Sequence, residues 1–272
     1  MRQTKHAHHF SYATTAGERI YSIVLGPFLA LIGILVLIKF FPISSVHLSE
    51  IHVDALFVSF LLAATAATLS RLLIAYFLAL LCAIPLALLT VSSRLAEKIF
   101  LPMFDVLESI PVLAFFPILI LFFIRADFAN GAAVFILFLS MLWNIVFTVV
   151  GGLKIIPRDI SFAAQVFGIK GWKYFKQVTL PAIFPEIVTG SILAFAQGWN
   201  LIIVVEVIHN YIPNGTYNQD LFGIGSILVN ASATGRTELF VACLFVMIVV
   251  IALFNYLIWQ NLIHFAEKFK FE

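Results

Sequence analysis

Two ionisable residues, Arg71 and Glu206, stand inside long apolar runs of this chain. A charge in lipid is costly, so such residues face a bundle interior, a solute path or an opposite charge. Arg71 and Glu206 therefore either line a path or pair with each other. Asn144, Trp199 and Asn200 add polar or amphipathic groups to late apolar runs. Helix–helix hydrogen bonding, about 1–2 kcal/mol in model peptides, is the default for such groups, and a path role is the alternative. Asp105 and Glu108 fall near the start of their span and read as interfacial. No G-x-x-x-x-G-K-[ST] phosphate loop and no nucleophile–base–acid set occurs, so no catalytic residue and no cofactor is assigned to the chain. Cys82 and Cys243 lie in apolar runs without C-x-x-C spacing and read as small hydrophobes. His6, His8 and His9 could hold a metal weakly, but a polar tail is the simpler reading. No metal site is expected.

The elements that must carry these residues are membrane helices. Of 272 residues, 62% are hydrophobic and 11% charged, with mean hydropathy +1.07. Soluble domains carry about 25% charged residues. A net charge of +2 gives no reason to expect nucleic acid. The pattern predicts an all-α integral membrane protein with six transmembrane helices. Residues 1–19 form a polar tail. Ile20–Phe41 is an uncleaved first span, about as long as a bilayer requires, and residues 20–54 comprise that span and an outer loop. Residues 55–264 form the core, and 265–272 a second tail. Within the core, Ala55–Val91 is far longer than one crossing, and either a single tilted helix or one broken near Arg71 or Pro85 fits. Ser92–Phe100 reads as a loop. Pro102–Ile124, with three prolines, reads as a kinked span. Gly131–Leu153, Pro181–His209 and Thr237–His264 are the remaining spans, and residues 210–235 a long Gly-, Asn- and Tyr-rich loop.

Lys and Arg set the orientation. A cytoplasmic N-terminus puts 12 of the 16 on the inside, the bias that cytoplasmic loops carry. Both termini and residues 154–180 then face the cytoplasm, and the 210–235 loop faces out.

The cytoplasmic interruption runs RDISFAAQVFGIKGWKYFKQVTLPAIFP from Arg158 to Pro185. Asp159 and Ser161 are candidate helix caps. Ala163 and Ala164 leave room for close packing by another protein, and Gly168 can end the helix at positive φ. Lys170, Lys173 and Lys176 suit lipid headgroups or an acidic partner. Leu180-Pro181 is expected to restart a redirected helix. The whole reads as an elbow continuous with a span.

The spacing Ala163-Ala164, three residues, Gly168, nine residues, Val178, one residue, Leu180-Pro181 resembles the coupling motif of binding-protein-dependent ABC importer permeases. Phe162 stands where that family usually has Glu. LPMFDVLESIPVLAFFPILILFF, WNIVFTVVGGLKIIPRDISFAA and GWNLIIVVEVI resemble the nitrate/sulfonate/taurine branch, and the C-terminal part resembles permeases of that branch that occur as tandem fused halves. The likeness covers about residue 55 to the end. It implies a type I ABC importer permease fold, with a cytoplasmic coupling helix at about 158–169, in the inner membrane. It implies a second permease half (identical or related), ABC ATPase subunits that bind ATP and Mg, an extracytoplasmic solute-binding protein, and a small-molecule solute such as nitrate, a sulfonate, taurine or bicarbonate. Asp159, Ala163, Ala164, Gly168, Val178, Leu180 and Pro181 become ATPase-coupling residues.

Two other classes stay open on the residues alone. An ion-coupled secondary transporter needs mid-membrane carboxylates and usually internal repeats; Glu206 is its one candidate and no repeat stands out. A channel or non-transporting scaffold lacks support from any filter-like sequence or charged ring.

Overall fold

The computed structural model describes residues 55–269 apart from 127 and 213–214. The expected tail at 1–19, first span and outer loop lie outside the described residues. So do residues 270–272.

The fold is all-helical. Helix α1, Ala55–Val91, settles the open question about this run: its 37 residues form one helix. At 1.5 Å per residue it is about 55 Å long, well beyond the ~30 Å hydrocarbon core. Ala75, Ala79, Ala83 and Ala87 are fully buried along it. Their four-residue spacing makes a small-residue stripe, which lets another helix approach closely. That helix is α4, Ala129–Ile155, the centre of the core, whose Ala132, Ile136, Met141, Ile145 and Val149 are fully buried.

Helix α6, Trp172–Glu206, packs across α4. Gly190 and Gly198 allow the approach. A Cβ at Gly190 would fall on the Thr148 hydroxyl, and one at Gly198 on the end of Met141. α6 also corrects an expectation. It does not restart at Leu180-Pro181 but begins at Trp172 and continues through Pro181 and Pro185. A π turn at Phe175–Thr179 absorbs the change, with the Leu180 N–H donating to the Phe175 carbonyl five residues back. An inserted residue of this kind is one of the few ways to deform a helix without ending it.

The proline-rich span is also reorganised. Helix α2 starts at Arg94, where Ser93 accepts a hydrogen bond from the Ala96 N–H (3.1 Å), so the expected loop over Ser92–Phe100 is instead mostly helix. α2 ends at Ser109. After Ile110-Pro111 a single 3-10 turn leads into α3, Phe116–Arg125, and the two arms are bent by 72°. Pro111 disfavours a helical Ile110 before it, which places the break. Among the described residues four helices are long and apolar enough to cross a membrane, or five if the bent pair is one span.

The segment read as a loop at 210–235 contains a ten-residue helix, α7, Ile224–Ala233. The last helix, α8 (Thr237–Phe269), exposes Phe245, Ile248 and Tyr256, as a lipid-facing span does.

Candidate functional site

At the end of α6 the Glu206 carboxylate is completely buried. Arg71 Nη1 donates to Glu206 Oε1 at 2.8 Å. Thr68 Oγ1 donates to the same oxygen at 2.7 Å. The other oxygen accepts from the N–H groups of Gly225 (2.8 Å) and Ser226 (3.3 Å), in the first turn of α7. Arg71 is satisfied as well: its Nε donates to Asn130 Oδ1 (2.8 Å) and its Nη2 to the Phe222 carbonyl (2.9 Å). The Ile224 N–H closes the ring on Thr68 Oγ1 at 3.0 Å. A burial this deep is tolerable only when the charge is paired and its remaining hydrogen-bonding positions are filled. The sequence fits it closely. A Cβ at Gly223 would land on the Glu206 carboxylate, and one at Gly225 would lie 2.8 Å from it. So Arg71 and Glu206 pair with each other, and they pin the segment around 207–226 to α1, α4 and α6.

A second polar cluster closes that segment. His209 Nδ1 lies 2.8 Å from Asp220 Oδ2, the His209 N–H donates to Asp220 Oδ1 at 2.9 Å, and the ring stands against Tyr217 at 4.5 Å between centroids.

The elbow helix α5, Arg158–Val166, begins after Pro157. Neither Asp159 nor Ser161 caps it. Asp159 lies within the first turn, where a carboxylate favours the helix dipole, and Ser161 Oγ bonds the Tyr174 hydroxyl at 2.9 Å. Gly168 ends the segment at φ 71°. The Ile169 N–H donates to the Ala164 carbonyl (2.9 Å) and the Gly168 N–H to that of Gln165 (3.0 Å), a Schellman turn. Gly171, at φ 57°, then turns the chain into α6. Ala164 is buried and Ala163 exposed; Val178, Leu180 and Pro181 are half-buried in the foot of α6. Phe162, Val166, Phe167 and Trp172 are exposed by 60, 83, 79 and 75%. Large apolar groups that bare, next to three lysines, make a surface suited to a partner.

Of the remaining path candidates, Asn144 lines a cleft of about 390 Å³ between α2, α4 and α6. Trp199 packs on the core, and Asn200 is exposed. Ser140, Trp143, Gln197 and Glu108 complete the polar lining of the cleft. Glu108 thus shares a cleft with Ser140, which lies near the middle of α4. α2 starts earlier than expected and carries it up along α4. Gln197, Thr68 and Asn130 escaped sequence reasoning because none is charged or part of a motif: Thr68 stands near Thr65 and Ser70, Asn130 in the first turn of α4, and Gln197 beside Gly198. The glycines of Gly223-Ile224-Gly225-Ser226 were the available signal for the third side of the Glu206 site.

Residues 72–260 match the family model of the binding-protein-dependent transport system inner membrane component. The chain belongs to that family. Among curated relatives, it is 32% identical over 161 residues to the nitrate import permease protein NrtB of Leptolyngbya laminosa, covering 59% of this chain and 57% of that protein. It is 31% identical to the bicarbonate transport system permease protein CmpB of Synechococcus elongatus (53% and 51%). It is 26% identical to the taurine transport system permease protein TauC of Escherichia coli (53% and 51%). The matched part spans about half the length of these curated relatives. This places the permease in the nitrate/sulfonate/taurine branch, as a multi-pass membrane protein.

Proposed function

We propose that this permease is the membrane subunit of an ATP-driven importer and that the elbow at 158–181 is where a cytoplasmic ATPase drives it. The observation that carries this reading is the exposed apolar and basic face of α5 and its exit turn, joined to α6 by the Ser161–Tyr174 bond and the buried Ala164. A helix so attached passes a displacement to the span behind it. α6 ends in Glu206, so the displacement reaches the outer segment through the ion-pair network. Asp159, Ala163 and Gly168 set the docking surface and its turn; Val178, Leu180 and Pro181 transmit motion into the span. The departure at Phe162 replaces a carboxylate with an apolar contact.

On this reading the partners are ABC ATPase subunits, which bind ATP and Mg and carry out hydrolysis, a second permease half, identical or related, and an extracytoplasmic binding protein. Both termini are cytoplasmic, and the membrane is the inner one. The solute is small, an anion or anionic compound such as nitrate, a sulfonate, taurine or bicarbonate, in keeping with the names of the relatives. Asn144 is the path candidate whose position, in a cleft it shares with Ser140, Gln197 and Glu108, best suits that role.

Co-expression with a candidate ATPase, partner half and binding protein, followed by reconstitution in vesicles, tests the proposal. The expected result is ATP hydrolysis stimulated by the loaded binding protein and strongly reduced in Gly168→Arg. No association with any ATPase, or normal coupling in Gly168→Arg, would overturn it.

A further inference from the structure

The cleft holding Asn144 has a charge that the proposed solutes do not all tolerate. Its depth follows from α4. Glu97 Oε1 bonds Lys154 Nζ at 2.7 Å, which pins the start of α2 beside the inner end of α4. Further along, Phe104 meets Trp143 with ring centroids 5.4 Å apart. Glu108 then reaches the level of Ser140 and Asn144. Ser140 precedes Lys154 by fourteen residues, about 21 Å along a helix. With Lys154 at the cytoplasmic surface of a core of about 30 Å, as the importer reading places it, Glu108 falls within the membrane. Asp105, one turn earlier on α2, has the same sign. Neither an arginine nor a lysine is among the described residues around the cleft.

An ionisable residue at that depth points to function unless it is paired, and among the described residues Glu108 has no hydrogen-bond or ion-pair partner. Its carboxylate is exposed toward the cleft at the bend between α2 and α3. In a site with low-dielectric walls one charge governs which ions concentrate. A bare oxyanion is repelled there, whereas an ammonium group is drawn in. The neutral amides of Asn144 and Gln197 offer N–H donors that an oxyanion can accept from.

Resting on the importer reading above, we infer that this cleft is a subsite for a small zwitterion, its ammonium end facing Glu108 and its oxyanion end facing Asn144 and Gln197. The importer therefore favours a solute carrying both charges over nitrate or bicarbonate.

The test uses the assembled complex in vesicles, with Cys82→Ala and Cys243→Ala to silence the native thiols and Ile110→Cys as a reporter on the cleft wall. A trimethylammonium methanethiosulfonate and a sulfonate methanethiosulfonate are compared, each normalised to its rate with a small thiol. The expected result is a preference for the cationic reagent of roughly tenfold or more, largely lost in Glu108→Gln. Taurine slows the labelling, and nitrate at the same concentration does not. Equal normalised rates, a preference unchanged by Glu108→Gln, no labelling by either reagent, or equal protection by taurine and nitrate would each overturn the inference. ATP hydrolysis measured in the same vesicles separates the two readings. Stimulated hydrolysis without a charge preference defeats only the zwitterion subsite, and a charge preference without ATPase association defeats the importer.

Discussion

Glu206 and Glu108 are both carboxylates among membrane helices, and their surroundings are opposite. Glu206 is sealed. Its two oxygens take four hydrogen bonds, from the side chains of Arg71 and Thr68 and the N–H groups of Gly225 and Ser226. Glu108 stands at a broken helix and lines an open, largely apolar cleft that also holds Asn144 and Gln197. A sealed charge fixes geometry, because every alternative arrangement strands an ion in a poor dielectric. An open charge leaves its field available to whatever enters. A carboxylate in an apolar run therefore becomes meaningful only when its partners are counted.

The strongest way to break this contrast is Arg71→Met. It leaves Glu206 buried without its cation, and breaking such a pair costs about 3–5 kcal/mol. Thermal unfolding of the solubilised permease should show a large drop, with less loss in the double variant Arg71→Met/Glu206→Leu, which removes both charges. Equal damage from the double variant would argue against an electrostatic seal. Next comes Gly223→Ala. Its Cβ would occupy the position of the Glu206 carboxylate, and overpacking of this kind costs about 1–3 kcal/mol. Faster protease cleavage within the segment around 207–226 is the expected outcome. Asp220→Asn is milder. It weakens the His209 contacts without touching Glu206, and a loss of about 1 kcal/mol is expected, the scale of one hydrogen bond. Limited proteolysis of the same segment gives the comparison.

The long helices and the short helix before Gly168 were legible in the sequence because their signals are local or repeat regularly. Long apolar runs announced α1, α4, α6 and α8, and the spacing from Ala163 to Gly168 announced a short helix closed by a glycine. Helix ends were less legible. Nothing in Leu180-Pro181 declares that a π turn just before it lets the helix run through both prolines. The Glu206 site was half-legible. Arg71 and Glu206 could be named as possible partners, but they are 135 positions apart, and only packing reveals Thr68, Asn130 and the α7 amides around them. That Glu108 shares a cleft with Ser140 and Asn144 was not legible, because it depends on where α2 begins and how it leans on α4. Neither follows from the residues of α2 alone.

One paired measurement tests the division between the two carboxylates most directly: the unfolding midpoints of Glu206→Gln and Glu108→Gln in the same solubilised permease. Glu206→Gln should show a clear fall, because it leaves Arg71 without its counter-charge, and Glu108→Gln a midpoint close to that of the unaltered protein. Equal falls, or a larger fall for Glu108→Gln, would contradict that division.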